Sequence, residues 1–321
     1  MVLNINNSID VIIPTYNQGI FIVDAIKSIE SQVLKPRYIY IIDDGSTDET
    51  PTIINNYMKI SSIPIRYKQK ENGGPNSARN MGLTLSDSDF VAFLDADDMW
   101  HKDKLQEQIN VYKNTSFKKL GLVYTKYKTI NTKGEIDNDA YDVTLDKNIR
   151  GNTYKKLLHG NKILGSASGV LIKKEVFSTV GLFDEKLRFG EDWDMWLRIA
   201  KEYDLDFVEK SLVYIRRHDT NQTNNKKNSF FGEIDFYNKW TNIIKNTYPA
   251  PSTWADTIVL NLIFQIIKKQ NIFIFMSKID TSTRKFIFKK TFGSIFIYSV
   301  YFMFKKIFDM KNQIHKIKKY V

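Results

Sequence analysis

Asp95, Asp97 and Asp98 place three carboxylates within four positions, directly after the apolar run Phe90-Val-Ala-Phe-Leu94. That run suits a strand buried on both faces. A buried strand that ends in unpaired negative charge carries a large desolvation cost, which a bound cation would offset. Oxygen donors suit Mg²⁺ or Mn²⁺, ions held by one or two carboxylates together with substrate phosphates. The chemistry expected is a metal–diphosphate site at the carboxyl end of a parallel strand, where open α/β sheets place their ligands. Two plainer readings stand beside it: a solvated acidic turn, or Asp98 capping a helix that starts near residues 101–104.

The elements that would position these carboxylates alternate along the chain. Residues 9–14 read as a first buried strand stopped by Pro14, residues 15–19 as a turn, and residues 21–32 as a helix with apolar period Ile22, Ala25, Ile26, Ile29. Residues 38–42 form the next strand and run into Asp43-Asp-Gly-Ser-Thr-Asp48. There Ser46 or Thr47 can cap the following helix, and one of the adjacent carboxylates, Asp43, is expected to turn back into the loop. Residues 63–67 give a third strand, and the turn at 72–75 opens a helix over 76–85. Strand, helix, strand, helix at this spacing predicts a doubly wound parallel sheet. Beyond the acidic strand, the pattern gives a helix at 102–112, a strand at 121–130 and an exposed loop at 131–152. A short helix at 154–159 leads to Gly165-Ser-Ala-Ser-Gly169 and a strand at 170–173. One or two helical turns at 175–180, a helix at 191–203 and strands at 205–209 and 212–216 complete this part.

The 321 residues contain no cysteine, which excludes a disulfide scaffold and a thiolate metal site. Residues 1–8 lack a basic region followed by an apolar core, so a cytoplasmic location is the default. The net charge of +11 is uneven: 27 Lys and Arg face 30 Asp and Glu in residues 1–209, against 20 and 6 in residues 210–321. From about residue 225 the chain turns helical, basic and aromatic-rich, with helices expected at 231–245, 254–269 and 286–308. Residues 292–304 carry no charge and lie between Lys289-Lys290 and Lys305-Lys306. Thirteen residues are too few for a span, which takes about 20, but suit a helix lying in the membrane interface. The expected partner of residues 254–321 is therefore an anionic membrane surface, peripherally on the inner face of the cell membrane. The alternative is packing of the same helices on the first domain or on a second subunit of a homo-oligomer.

Five motifs stand in register: Val11-Ile-Ile-Pro-Thr-Tyr-Asn17, Ile42-Asp-Asp-Gly-Ser-Thr-Asp48, Asn72-Gly-Gly with Ala78-Arg-Asn80, Leu94-Asp-Ala-Asp-Asp98 and Gly190-Glu-Asp-Trp-Asp194. In this order they resemble a family 2 glycosyltransferase of the GT-A fold, over about residues 8–220. The resemblance implies an α/β Rossmann-like domain, with a mostly parallel sheet sandwiched by helices, over residues 1–224. Its nucleotide-binding half would span about 1–98 and its acceptor half about 99–224, with the helical basic region at 225–321. It also implies inverting, metal-dependent transfer of a sugar from a nucleotide donor, most often UDP-linked.

Carried over position by position, the resemblance sets Pro14 and Tyr16 beside the base, where a Tyr ring stacked on uracil contributes about 1–3 kcal/mol. Tyr16 closing the first turn is the plainer reading. Asp44 matches the acceptor for the base N–H, and Asn72 meets the nucleotide. Arg79, one helical turn after Gly73-Gly74, can reach phosphate or base through its planar fork, or else form a surface ion pair. Asp95 faces the ribose or the metal's waters, while Asp97 and Asp98 bind Mn²⁺ or Mg²⁺, which neutralises charge on the leaving nucleotide. His218 completes the metal shell or touches phosphate, with Arg217 as an alternative phosphate clamp. Glu191 and Asp192 match an acidic pair near the acceptor. Asp192 is the general base, kept ionised by the helix N-terminus, and Glu191 and Trp193 face the acceptor sugar. Both acids could instead only polarise the helix, and Trp193 could be core.

The acceptor implied is a surface glycan or lipid-linked saccharide such as lipopolysaccharide, capsule or teichoic acid. Sugar nucleotidyl transfer would need a Gly-rich phosphate loop after the first strand, where Pro-Thr-Tyr-Asn stands. An aspartyl-phosphate phosphatase would need an Asp there. A non-catalytic nucleotide-sugar-binding or scaffold protein would have lost carboxylates that are all in place. The tail carries no recognised nucleic-acid module, so no nucleic acid partner is expected. Nothing in residues 131–152 or 160–169 is diagnostic of the sugar.

Overall fold

The computed structural model describes residues 8–137, 144–158, 160–187, 189–219 and 221, with Asp235, Phe236, Lys239, Trp240 and Ile243 beyond them. The chain divides into two compact units, Met1–Glu233 and Ile234–Val321. The tail helices and the membrane-facing run read from the sequence lie outside the described residues, apart from those five positions.

The first unit is one eight-stranded sheet flanked by helices. Its strands are β1 (Ile9–Thr15), β2 (Tyr38–Asp43), β3 (Ile65–Gln69), β4 (Phe90–Phe93), β5 (Met99–Trp100), β6 (Leu120–Ile130), β7 (Leu171–Lys173) and β8 (Asp204–Arg216), in the order β3-β2-β1-β4-β7-β6-β8-β5. The helices are α1 (Ile22–Glu30), α2 (Thr50–Tyr57), α3 (Pro75–Leu85), α4 (Lys104–Asn114), α5 (Tyr154–Leu157), α6 (Val176–Val180) and α7 (Glu191–Glu202). β1 to β4 are mutually parallel. The strand order reverses between β1 and β4, which makes the carboxyl ends of these two strands the place for a ligand.

β1 and β4 are buried at every position, as their mainly apolar runs require, with the buried Asp10 of β1 paired to Arg37 at 2.8 Å. α1 buries Ile22, Ala25, Ile26 and Ile29, the stripe read from the sequence. α3 lies close on β1 because Gly82 faces Ile12: a Cβ there would stand 2.5 Å from Ile12 Cγ2. That contact sets the height of Arg79, one turn earlier, relative to the strand ends.

Several elements differ from the sequence reading. The sheet is mixed rather than wholly parallel: β6 pairs with β8 in parallel, but β7 runs antiparallel to β4 and to β6, and β5 antiparallel to β8. β3 starts two residues later than expected, because it is an edge strand whose polar Lys68 and Gln69 pair with Ile42 and Asp43. The two final strands are one, β8, with Glu209 and Lys210 left outside the ladder between Thr125↔Val208 and Lys126↔Ser211. α2 is not capped by Ser46 or Thr47. Asp48 Oδ1 accepts from Thr50 N at 2.9 Å, while Ser46 and Thr47 bond to Asn17. Residues 131–152 are anchored at both ends by the bridges Ile130↔Ile136 and Gly151↔Leu205.

Candidate active site

The carboxyl ends of β1 and β2 open the site. Pro14 pairs with Ile42 inside the sheet, and Tyr16 follows with its side chain 47% exposed, a free face beside the strand end. Asp43 turns inward as expected, accepting from Ser46 N at 2.8 Å and Tyr67 OH at 2.7 Å. Asp44 is buried and holds the next loop: Oδ1 accepts from Lys70 Nζ (2.7 Å) and Gly73 N (2.9 Å), and Oδ2 from Gly74 N (2.6 Å). Asn72, in the same loop, is exposed.

Arg79 is the hinge of the site and no surface residue: it is 4% exposed. Its Nη2 donates to Asp95 Oδ1 at 2.9 Å, and its Nη1 lies 3.6 Å from Glu191 Oε1 and 3.7 Å from Asp192 Oδ1. Burial alone would lower the guanidinium pKa, but Asp95, Asp192 and Glu191 raise it above its ordinary value. One cation thus joins the strand-end aspartates to the acidic pair of α7. α3 is fixed against the segment before α7 by its asparagines. Asn80 Nδ2 donates to Phe183 O and Asn80 Oδ1 accepts from Phe183 N, both at 2.9 Å; Asn76 Nδ2 donates to Asp184 O and Leu187 O, both at 3.1 Å.

The strand-end carboxylates face different ways. Asp95 is partly exposed and Asp97 Oδ2 lies 2.8 Å from His218 Nε2, with Asn221 Nδ2 donating to it at 3.2 Å. His218 itself packs on Phe21, ring centroids 4.9 Å apart. Asp98 sits deeper than Asp95 and Asp97. It is buried, Oδ2 accepting from Ser168 Oγ at 2.6 Å and Oδ1 from Arg216 N at 3.1 Å, so both oxygens serve the protein. Asp98 also does not cap α4. Burial and the charges of Asp97 and Asp95 push its carboxyl well up; burial, then Asp95, raises Asp97. Arg217, the alternative clamp, is exposed, whereas its neighbour Arg216 is fully buried and pins this corner. Arg216 Nε donates to Asp97 O at 2.8 Å, Nη1 to Thr132 O at 2.9 Å and Nη2 to Asp24 Oδ2 at 3.1 Å.

The acidic pair opens α7. Gly190 precedes it at φ 73°, a left-handed conformation that favours glycine. Asp192 Oδ2 accepts from Ser166 Oγ (2.9 Å) and Ala167 N (3.1 Å), while Oδ1 is buried and takes no hydrogen bond. Burial outweighs Arg79 and raises the Asp192 carboxyl above its ordinary value, against the pull of the helix N-terminus. Burial, then the Asp192 charge, takes Glu191 to about 7. Trp193 is half-buried, its indole N–H donating to Leu157 O at 2.8 Å, which ties α7 to α5.

Residues 165–169 looked undiagnostic in the sequence, yet they join the two halves of the site. Ser168 Oγ accepts from Asp95 N at 3.0 Å besides holding Asp98, and Ser166 and Ala167 hold Asp192. The paired serines between glycines were the available signal.

The donors fit a hard divalent cation. Asp95 and Asp97 offer carboxylate oxygens, and the His218 imidazole lies 2.8 Å from Asp97. Among the described residues no group of three or more His, Asp or Glu is close enough to hold an ion alone. Mn²⁺ and Mg²⁺ ask for one or two carboxylates with phosphates completing the shell, so the protein's share is present.

The profile of Glycosyl transferase family 2 matches residues 10–181. A Rickettsia conorii protein described as an uncharacterized glycosyltransferase is 33% identical over 216 residues, 67% of this chain and 33% of its own length. The chain thus spans about one third of that relative. GgaA of Bacillus subtilis, described as a minor teichoic acid biosynthesis protein, is 27% identical over 57% of this chain and 41% of its own. Among solved structures, S. aureus TarS 1-349 in complex with UDP-GlcNAc shares the fold at TM-score 0.59 and 20% identity, over 86% of this chain and 77% of that one. A profile that matches more than half of the residues, on a sheet whose strand ends gather the acidic motifs in one place, shows that the chain belongs to glycosyl transferase family 2.

Proposed function

We propose that this chain transfers a sugar, with inversion, from a UDP-linked donor to a hydroxyl of a surface glycan or lipid-linked saccharide, with Mn²⁺ or Mg²⁺ bound. The observation that carries this reading is Arg79, which holds Asp95 and the Glu191–Asp192 pair on one buried guanidinium. That arrangement puts a diphosphate-side group and a base within reach of one substrate.

Tyr16 stacks the base, and Asp44 and Asn72 border it. Asp192 Oδ1, free of hydrogen bonds, takes the acceptor hydroxyl proton as the new carbon–oxygen bond forms opposite the breaking bond to the diphosphate. Its raised pKa suits that task, because a stronger base accepts the proton more readily. Ser166 and Ala167 keep its other oxygen fixed. A divalent cation held by Asp97 and His218, with Asp95 toward its waters, would supply charge compensation for the leaving diphosphate. Glu191 and Trp193 border the acceptor. GgaA supports a polymeric surface acceptor, and the TarS complex supports a UDP-sugar donor.

Binding of UDP and of a panel of nucleotide sugars, with Mn²⁺ and with EDTA, tests this directly. UDP-sugars should bind with cation and weaken about tenfold or more with chelator. Equal affinity under both conditions, kept in Asp97→Ala, overturns it. Residues 254–321 would bring the enzyme to an anionic membrane, and deletion of 280–321 should release it from phosphatidylglycerol-containing liposomes at moderate salt. Unchanged liposome binding removes the membrane reading. Among the described residues no helix is long and apolar enough to cross a membrane.

A further inference from the structure

Three consecutive backbone carbonyls are each taken by a different buried side chain. Trp100 Nε1 donates to Ser168 O at 2.9 Å, Gln108 Nε2 to Gly169 O at 3.0 Å and Lys104 Nζ to Val170 O at 3.4 Å. Trp100 ends β5, and Lys104 and Gln108 stand four apart on one face of α4. Gln108 Nε2 donates also to Val123 O at 2.8 Å, so it ties the segment to β6.

Lys104 is unusual for a structural residue. It is fully buried, its Nζ donates to Gln108 Oε1 at 2.9 Å and lies 4.0 Å from the centroid of the Trp100 ring. Among the described residues no carboxylate pairs with it, and burial pushes its pKa well down. Packing alone would be served better by an apolar side chain, because an unpaired amine is costly to bury. The segment it grips is itself constrained. Ser166 sits at φ 54°, ψ −157°, and a Cβ on Gly169 would stand 2.6 Å from Leu164 O. The other side of that segment faces the chemistry, through Ser168 to Asp98 and the Asp95 amide and through Ser166 and Ala167 to Asp192.

We propose that Trp100, Lys104 and Gln108 are positioning residues for the transfer, gripping residues 168–170 so that the diphosphate-side aspartates and the Asp192 base stay at a fixed separation. The inference rests on Asp192 being that base. None of the three needs to touch substrate. A displacement of the base by about 1 Å is enough to cost on the order of a hundredfold in rate.

Trp100→Phe keeps an aromatic face and deletes the N–H together with the five-membered ring; Gln108→Glu keeps an acceptor for Lys104 and deletes the donor to Gly169 and Val123. In the full chain, measured by UDP release from UDP-GlcNAc, both variants should lower kcat about tenfold to a hundredfold. UDP Kd should stay within about twofold. The acid limb of kcat/KM should move to higher pH, since Asp192 loses hydrogen bonds that favour its ionised form. Arg79 on α3, Asp95 after β4 and the adjacent Glu191, the charged groups that face it, are unchanged in both. Gln108→Glu sets a carboxylate oxygen against the Val123 and Gly169 carbonyls and should lower Tm, so kcat is compared at temperatures well below both transitions and the unchanged UDP Kd separates positioning from folding. Wild-type kcat and pH profile in folded Trp100→Phe overturn the proposal, as does UDP affinity falling in step with kcat. If Asp192→Asn still turns over at the wild-type rate, the base assignment fails instead.

Discussion

The half of the sheet built from β1 to β4 and the half built from β5 to β8 hold their site residues by different means. In the first, Tyr16, Asp44 and Asp95 follow buried strands within two residues, so the ladder sets their backbone before Lys70, Gly73, Gly74 and Arg79 add side-chain bonds. In the second, every group is held by a partner distant in sequence: Asp192 by Ser166 across 26 positions, Asp98 by Ser168 across 70 and His218 against Asp97 across 121. The lesson is about fragility. A side chain set by a buried ladder survives most single substitutions, whereas one set by two or three polar bonds is displaced by losing one of them. Donor binding should therefore be robust where transfer is not.

The sharpest way to break that contrast is Asp192→Asn. It keeps shape and the bonds to Ser166 and Ala167 at best in part, and it removes the base. Turnover of UDP-sugar should fall about 10²- to 10⁴-fold, while UDP affinity stays within about twofold. Isothermal titration beside steady-state kinetics checks this, and parallel loss of UDP binding would mean that the two halves do not act separately.

Arg79→Met comes next and reads as stability. It leaves the mostly buried Glu191 and Asp192, and the partly exposed Asp95, around no cation, a situation that costs about 3–5 kcal/mol when one partner of a buried pair is removed. Chemical denaturation should show that loss, and adding Glu191→Gln should recover part of it. Additive destabilisation in the double variant would show that the three acids do not share the guanidinium. Asp97→Ala should be milder for folding and abolish the effect of chelator on UDP affinity, with turnover reduced about a hundredfold, near 2.7 kcal/mol.

Legibility in the sequence follows the same division. The runs at 9–14, 38–42 and 90–94 are apolar except for Asp10, and the structure buries all of them but Tyr38. α1 shows its stripe because a surface helix must alternate. β5 could not be read, since Met99-Trp100 is too short for any period, and β8 reads as two strands because Glu209 and Lys210 leave the ladder. Among site residues, the aspartates of the acidic strand, Arg79, Glu191 and Asp192 are brought together as their motifs suggested. Ser166, Ser168, Arg216 and Asn221 were missed for a physical reason: each acts by a bond to a residue 25 or more positions away, or to backbone, and such bonds leave no local pattern. Asp98 illustrates the converse. Adjacent to Asp97, it is chemically identical in the sequence, and only the fold turns it inward.

Glu191→Gln sharpens the comparison with the smallest expected effect. In the folded chain burial, then the Asp192 charge, holds the Glu191 carboxyl protonated up to about 7, whereas its ordinary value is 4.5. The folded state therefore binds the extra proton between those values, so this contribution to stability is full below pH 4.5 and is lost as pH rises to about 7. Gln, neutral at every pH, should flatten that part of the stability curve measured by urea unfolding. Removing a like-charged neighbour should also lower the Asp192 pKa, moving the acid limb of kcat/KM to lower pH. Glu191 and Asp192 titrate as a pair, so the limb in the unaltered enzyme belongs to both. If the stability slope flattens while the limb stays in place, Asp192 is set by burial, Arg79, Asp95, Ser166 and Ala167 without Glu191. The acceptor half would then be tuned by hydrogen bonds to one carboxylate rather than by repulsion between two.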